Sequence, residues 1–194
     1  MKHMRWLIWV LAVTVVLGTT VAAQAAYEFY MTVEGVKQGK LKGENQPFPG
    51  AIGCLGFQFQ VEAPRDVATG QASGKRQYSP LTITTEWGPS SPQLFQALIS
   101  NEAIKTVECQ FFSSTPTGTQ QPYATIRLTN AVVSKVQYRL ETSSQGLGPP
   151  GALLEDISFT FQKIELQSQG GLTTSMDQVT ALGAAIMLPL VITR

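Results

Sequence analysis

Apolar and polar residues alternate in a series of short runs. In the first, Phe29, Met31 and Val33 are set against Tyr30 and Thr32. A period of two puts one set on a buried face and the other outward, which predicts a strand over residues 26–36. Leu55, Phe57, Phe59 and Val61 repeat the pattern, with Gly56, Gln58 and Gln60 between them. After a polar excursion over residues 62–77, a β-rich run covers residues 78–87 and breaks at Gly88-Pro89. Residues 90–100 then change period. Ser91 is placed to cap a short helix, Pro92 to open it, and Leu94, Phe95, Leu98 and Ile99 fall on one face.

Further strands follow over residues 105–112, 123–130, 132–140 and 154–167, separated by polar loops rich in Ser, Thr, Gly and Pro. In the last strand Ile157, Phe159 and Phe161 share one parity, whereas Ile164 and Leu166 take the other. That switch predicts a bulge near Gln162-Lys163. Lys37, Lys40 and Lys42 in the first turn read as a solvated edge. The pattern predicts a mainly β fold of the sandwich or barrel kind carrying one short α-helix.

Both ends depart from this pattern. Lys2 and Arg5 precede an apolar run over residues 6–17, and Ala23-Gln24-Ala25 matches a small-x-small cleavage site. Residues 1–25 therefore read as a cleavable secretory signal, cut after Ala25, with a membrane anchor as the alternative. Residues 26–168 form the predicted domain. Residues 169–194 hold a Gln-Gly-Gly linker and an uncharged, mostly apolar stretch at 179–193, for which a final strand, an arm on a neighbouring subunit and a loose end all stay open.

The chain has 194 residues, 14 basic and 13 acidic side chains, one histidine and two cysteines. Removing the leader leaves the rest within about one charge of neutral, so nothing calls for nucleic acid, and a membrane is implied only through the leader or the tail. His3 leaves with the leader, which rules out a Ser-His-Asp triad, a Cys-His pair and a histidine-ligated metal in the mature chain. No cofactor site is indicated. The run from Gly70 to Arg76 fails as a phosphate loop, with three residues between its glycines and Arg76 where a hydroxyl belongs.

No spacing nominates a catalytic pair among Glu62, Asp66, Glu86, Glu102, Glu108, Glu155 and Asp156. Adjacent Glu155 and Asp156 point to opposite faces of a strand and read as a solvated corner. Cys54 and Cys109 are a candidate disulfide, worth about 3–4 kcal/mol over a loop of this size, or else two separate buried thiols. Trp87 and Tyr78 are the candidate contacts if the chain is instead a monomeric carbohydrate- or protein-binding β-module. A hydrolase using acidic residues is the weakest reading.

Several segments, taken together and in order, resemble the Hcp family of type VI secretion systems, whose members form the inner tube. They are Phe29-Tyr-Met-Thr-Val-Glu-Gly35, residues 52–61, Gly74-Lys75 followed by Leu81-Thr-Ile83, and Ser91-Pro92-Gln-Leu-Phe-Gln-Ala-Leu98. The last is Leu154-Glu-Asp-Ile-Ser-Phe-Thr-Phe161 with Ile164-Glu-Leu166. The resemblance runs over about residues 27–167. It implies a small β-barrel of two antiparallel sheets with one helix, a non-enzymatic chain assembling into hexameric rings that stack, and secretion-apparatus or effector proteins as partners. In that family the loop after the second strand reaches toward a neighbour. Here that assigns subunit contacts to Glu62, Arg65, Asp66, Gly70, Gly74, Lys75 and Arg76. A secretory signal and an apolar tail are not usual in the family.

Overall fold

The computed structural model describes residues 29–44, 48–114, 120–142, 146–171 and 173–177. The predicted leader at 1–25 and the apolar stretch at 179–193 lie outside them. The strands are β1 (Phe29–Gly35), β2 (Gly39–Lys40), β3 (Ile52–Gln58), β4 (Val61–Glu62), β5 (Gln77–Tyr78), β6 (Leu81–Glu86), β7 (Ala103–Ser114), β8 (Gln120–Leu140), β9 (Leu153–Ser168) and β10 (Thr173–Asp177). One helix, α1 (Ser91–Ile99), separates β6 from β7.

All the pairings are antiparallel. They run β9-β6-β3-β1-β7-β8 and return to β9, so the main sheet closes on itself. The two expected layers are continuous through β8 and β9, which are 21 and 16 residues long and pair along most of their length. Residues 123–130 and 132–140, read from sequence as two strands, are the two halves of β8. Asn130 sits at the join with φ 52° and donates from its side chain to Gln162 at 3.2 Å. Across this join the inward residues change parity on both strands together, from the Leu128–Ile164 pair to the Ala131–Phe161 pair. The predicted irregularity at Gln162-Lys163 is thus a corner shared in register, and the register shift of this pair falls instead between Val133 and Lys135.

The core is built from the inward rows. Phe29, Met31 and Val33 of β1 meet Ile52 and Cys54 of β3, Ile83 of β6, Val107 of β7 and Ile157 and Phe159 of β9. A register shift between Cys54 and Gly56 moves the inward parity of β3, so Phe57 packs on the core while Val61 lies exposed. Cys54 and Cys109 are buried free thiols. Strand β1 runs between β3 and β7, so the two backbones stand about 9–10 Å apart, beyond the roughly 7 Å a disulfide spans. The candidate disulfide is therefore not made. Burial pushes both thiols up, Cys109 to about 12, so they behave as small apolar residues.

Helix α1 lies against the barrel and lends its core Leu94 and Ala97, with Leu98 packed beside them. Its N-cap is Ser90 rather than Ser91, and Phe95 and Ile99 face solvent instead of the core. Ser91 is released from capping for another task. Its Oγ accepts from the Gly88 N–H at 2.9 Å and donates to Glu155 Oε1 at 2.7 Å. Glu155 is buried and inward-facing, not part of a solvated corner. Asp156, one residue on, faces out to Arg139 at 2.5 Å and to the Thr84 hydroxyl.

Beyond the helix C-terminus, buried Glu102 accepts from the backbone N–H groups of Lys37 and Gln38 at 2.7 and 2.9 Å and from the Gln38 amide at 3.0 Å. Gly35 leaves room for this carboxylate: a Cβ there would strike Glu102 Oε1 and push it off these donors. Two buried glutamates thus fasten the two ends of the helix segment to the barrel.

The two carboxyls respond to pH with opposite sign. Burial raises Glu155, reinforced by the nearby Glu44 charge and opposed by the Ser91 hydrogen bond. Its stabilising effect is present below the ordinary value of 4.5 and is lost as pH rises through the raised value. Burial also pushes Glu102 upward, but the hydrogen bonds from Gln38 and Lys37 outweigh it and hold the group low. Its contribution is present above 4.5 and is lost as pH falls through the lowered value.

Glu155→Gln keeps the acceptor for Ser91 and removes the charge. It is expected to raise the melting temperature at pH 8, with the gain shrinking toward pH 4; a gain independent of pH would contradict the assignment. Glu102→Ala leaves two turn N–H groups without their acceptor and is expected to cost about 2–4 kcal/mol by urea unfolding. A loss below about 0.5 kcal/mol would be the ordinary surface result and would contradict the fastening role.

Candidate self-association surface

The long excursion between β3 and β6 is not an irregular loop. Strands β4 and β5 pair through Val61–Tyr78 and Glu62–Gln77, and farther out Arg65 bridges Ala72. The backbone groups close on one another. The Ser73 N–H donates to the Pro64 carbonyl at 2.9 Å, the Asp66 N–H to Gln71 at 2.8 Å and the Gly70 N–H to Asp66 at 2.8 Å. At the tip, Asp66 Oδ1 accepts from the Ala68 and Thr69 N–H groups and from the Thr69 hydroxyl at 2.7–3.0 Å. The backbone hydrogen bond from Thr69, with the others, holds the Asp66 carboxyl below its ordinary value. Gly70 turns the chain with φ 69°, a left-handed backbone that glycine adopts freely, and its carbonyl accepts from Arg65 at 3.1 Å. The result is a two-stranded arm closed by an Asx-type turn.

The base of the arm is also pinned. Gln60 and Ser79 exchange backbone and side-chain hydrogen bonds, and the Tyr78 hydroxyl reaches Met176 Sδ of β10 at 2.5 Å. Glu62, Arg65, Asp66, Gly70, Gly74, Lys75 and Arg76 are all exposed on this one arm. The sequence reading therefore brought together residues that the fold also brings together. It missed Val67, an apolar side chain fully exposed at the tip, whose one signal is its place beside the Asp66 turn. Folding the arm in advance has an energetic consequence. Its ordering entropy is met by its own hydrogen bonds, so less is lost when it meets a partner.

Other surfaces give no catalytic arrangement among the described residues. An outer-face groove of about 340 Å³ is lined by Thr32, Glu34, Lys40, Thr106, Glu108 and Arg127. Burial pushes Glu108 up, but hydrogen bonds from Gln110 and Arg127 overcome it and leave it low. Arg127 holds one Glu108 oxygen through Nε at 3.0 Å and a terminal nitrogen at 2.6 Å, and Glu34 is paired with Lys105. A carboxylate held ionised beside a cation is no general acid.

Trp87 and Tyr78 do not form one sugar platform. Tyr78 lies in β5 and Trp87 follows β6, a strand that itself rises about 20 Å, and Trp87 packs on Tyr138 with ring centroids 5.3 Å apart.

Comparison with known proteins agrees with this geometry. The chain is 28% identical over 159 residues to the "Major exported protein" of Pseudomonas aeruginosa, an alignment covering 76% of this chain and 92% of that one. Its fold matches a crystal structure of an Hcp protein with TM-score 0.70 at 22% identity, over 77% of this chain and 98% of the other. It also matches the secreted protein Hcp3 of Pseudomonas aeruginosa, with TM-score 0.61 at 26% identity, over 77% and 98%. A family profile described as "Type VI secretion system effector, Hcp" covers residues 30–167, and on that match the chain belongs to the Hcp family.

Proposed function

We propose that this chain is an exported structural protein that self-assembles into hexameric rings stacking as a tube, with the β4–β5 arm as a contact between subunits or rings. The observation that supports this reading is the arm itself. It is ordered by its own hydrogen bonds, projects its side chains into solvent and ends in a bare valine. An exposed apolar tip is expected to be covered by a partner. The mixed charges of Glu62, Arg65, Asp66, Lys75 and Arg76 suit a polar rim around such a contact, where charge sets register more than affinity.

Export of the matched Pseudomonas aeruginosa protein is in keeping with a secreted role. Residues 1–25 would act as a cleavable leader delivering the chain across the inner membrane, and effector or secretion-apparatus proteins would be its further partners. In this reading the domain is a scaffold, and its buried carboxyls serve the helix joints rather than a reaction.

Deleting residues 69–74 removes part of the tip and leaves the barrel pairings intact. Light scattering after size-exclusion is expected to show a large drop in assembled mass, while the melting temperature stays within a few degrees of the parent. Val67→Asp is expected to act in the same direction. Unchanged assembly in both variants would contradict the arm's role.

A further inference from the structure

The inward rows of three neighbouring strands do not stop at the layer of Glu155. One step farther along β6, β9 and β8 they continue with Trp87, Leu153 and Leu140, linked by the Trp87 N–H donating to the Leu153 carbonyl at 2.8 Å and by the Leu140–Leu153 pair. Tyr138, paired with Glu155, packs against Trp87 with the rings tilted at 58°. These four side chains form an apolar ledge beyond the end of the barrel, beside the N-terminus of α1. They are 48%, 39%, 61% and 38% exposed for Trp87, Leu153, Leu140 and Tyr138 respectively. The helix turns Leu94 and Ala97 into the core and leaves the ledge bare. Clustered apolar side chains of this kind mark a docking surface.

The sequence contains a segment of matching chemistry. Residues 178–193 carry no charge and include Val179, Leu182, Ile186, Met187, Leu188, Leu190, Val191 and Ile192. Matched relatives are covered over 92% and 98% of their own lengths by only 76% and 77% of this chain, so a stretch of this kind is additional to what they share.

The end of β10 also sets its heading. Strand β10 runs antiparallel to β9, from Thr173 opposite Gln167 to Asp177 opposite Lys163, so the chain leaves Asp177 heading toward Leu153. The distance along β9 from Lys163 to Leu153 is about 33 Å, and sixteen further residues reach up to about 53 Å. Strand β6 already occupies the β9 edge at residues 154–159, so the segment cannot extend β10 as a strand there. It must pass over the barrel to reach the ledge.

We propose that residues 179–193 dock on the ledge of Trp87, Tyr138, Leu140 and Leu153 of the same chain. Docking covers the apolar end of the barrel and seats the tail against the N-terminal joint of α1.

Trp87 reports on this directly, because the other two tryptophans, Trp6 and Trp9, lie in the leader. The full chain carrying Trp6→Phe and Trp9→Phe is compared with the same chain ended after Asp177. The expected result is a shift of Trp87 emission to the red and several-fold faster acrylamide quenching in the shortened chain, with cooperative unfolding retained. If the shortened chain does not fold, Leu140→Asp with Leu153→Asp in the full chain gives the second reading, and the same rise in quenching is expected. Emission unchanged by removal of the tail would overturn the proposal. So would shielding of Trp87 that disappears on dilution, which would assign the ledge to a second copy and leave the arm-mediated assembly untouched.

Discussion

The structure depends on how a barrel end is joined to a helix that interrupts its strand order. Between β6 and β7 the chain leaves the sheet, crosses as α1 and returns, and both exits are buried carboxylate joints. On one side the Gly88 N–H, the Ser91 hydroxyl and Glu155 form a short hydrogen-bonded chain; on the other Glu102 gathers the turn between β1 and β2. Buried polar groups of this kind are costly unless paired, and once paired they specify one arrangement over its neighbours. Glu102 is the fully served joint. Glu155 keeps one oxygen without a partner, so the N-terminal joint is the one that weakens as its carboxyl ionises.

A rigid barrel with a fastened helix gives the arm a fixed base. The arm is a separate two-stranded sheet of β4 and β5 that meets β10 at its root through Tyr78 and Met176. Its hydrogen bonds are local and its side chains are exposed, so it adds little to the stability of the core and much to the shape that a neighbour meets. Stability and recognition are therefore separated. Glutamates at the helix joints serve the first, and in the proposed assembly the charges and the bare valine of the arm would serve the second.

Much of the fold was legible because alternation is a local signal. Phe29, Met31 and Val33, and later Ile157, Phe159 and Phe161, identify their inward faces without any tertiary information. The excursion between the strands was legible as a place, and its seven marked residues do share one arm. Its hairpin pairing was not, since Val61, Glu62, Gln77 and Tyr78 pair across a polar stretch with no periodicity. Long-range partners were equally hidden. Ser91 looked like a cap because the residue type suits one, and only the meeting with Glu155, 64 residues away, gives it another task. Glu155 itself carried a usable signal, as an acidic residue on the inward parity of an otherwise apolar row. The two cysteines show the converse, where even number and strand placement suggested a bond that the intervening β1 prevents.

In the proposed assembly this fold is a subunit of a ring. Electron microscopy of the purified exported protein over a range of concentrations tests it most directly. Assembly through the arm predicts class averages of closed six-membered rings that stack into short tubes as concentration rises. A field of dispersed single barrels at the highest concentration would contradict it.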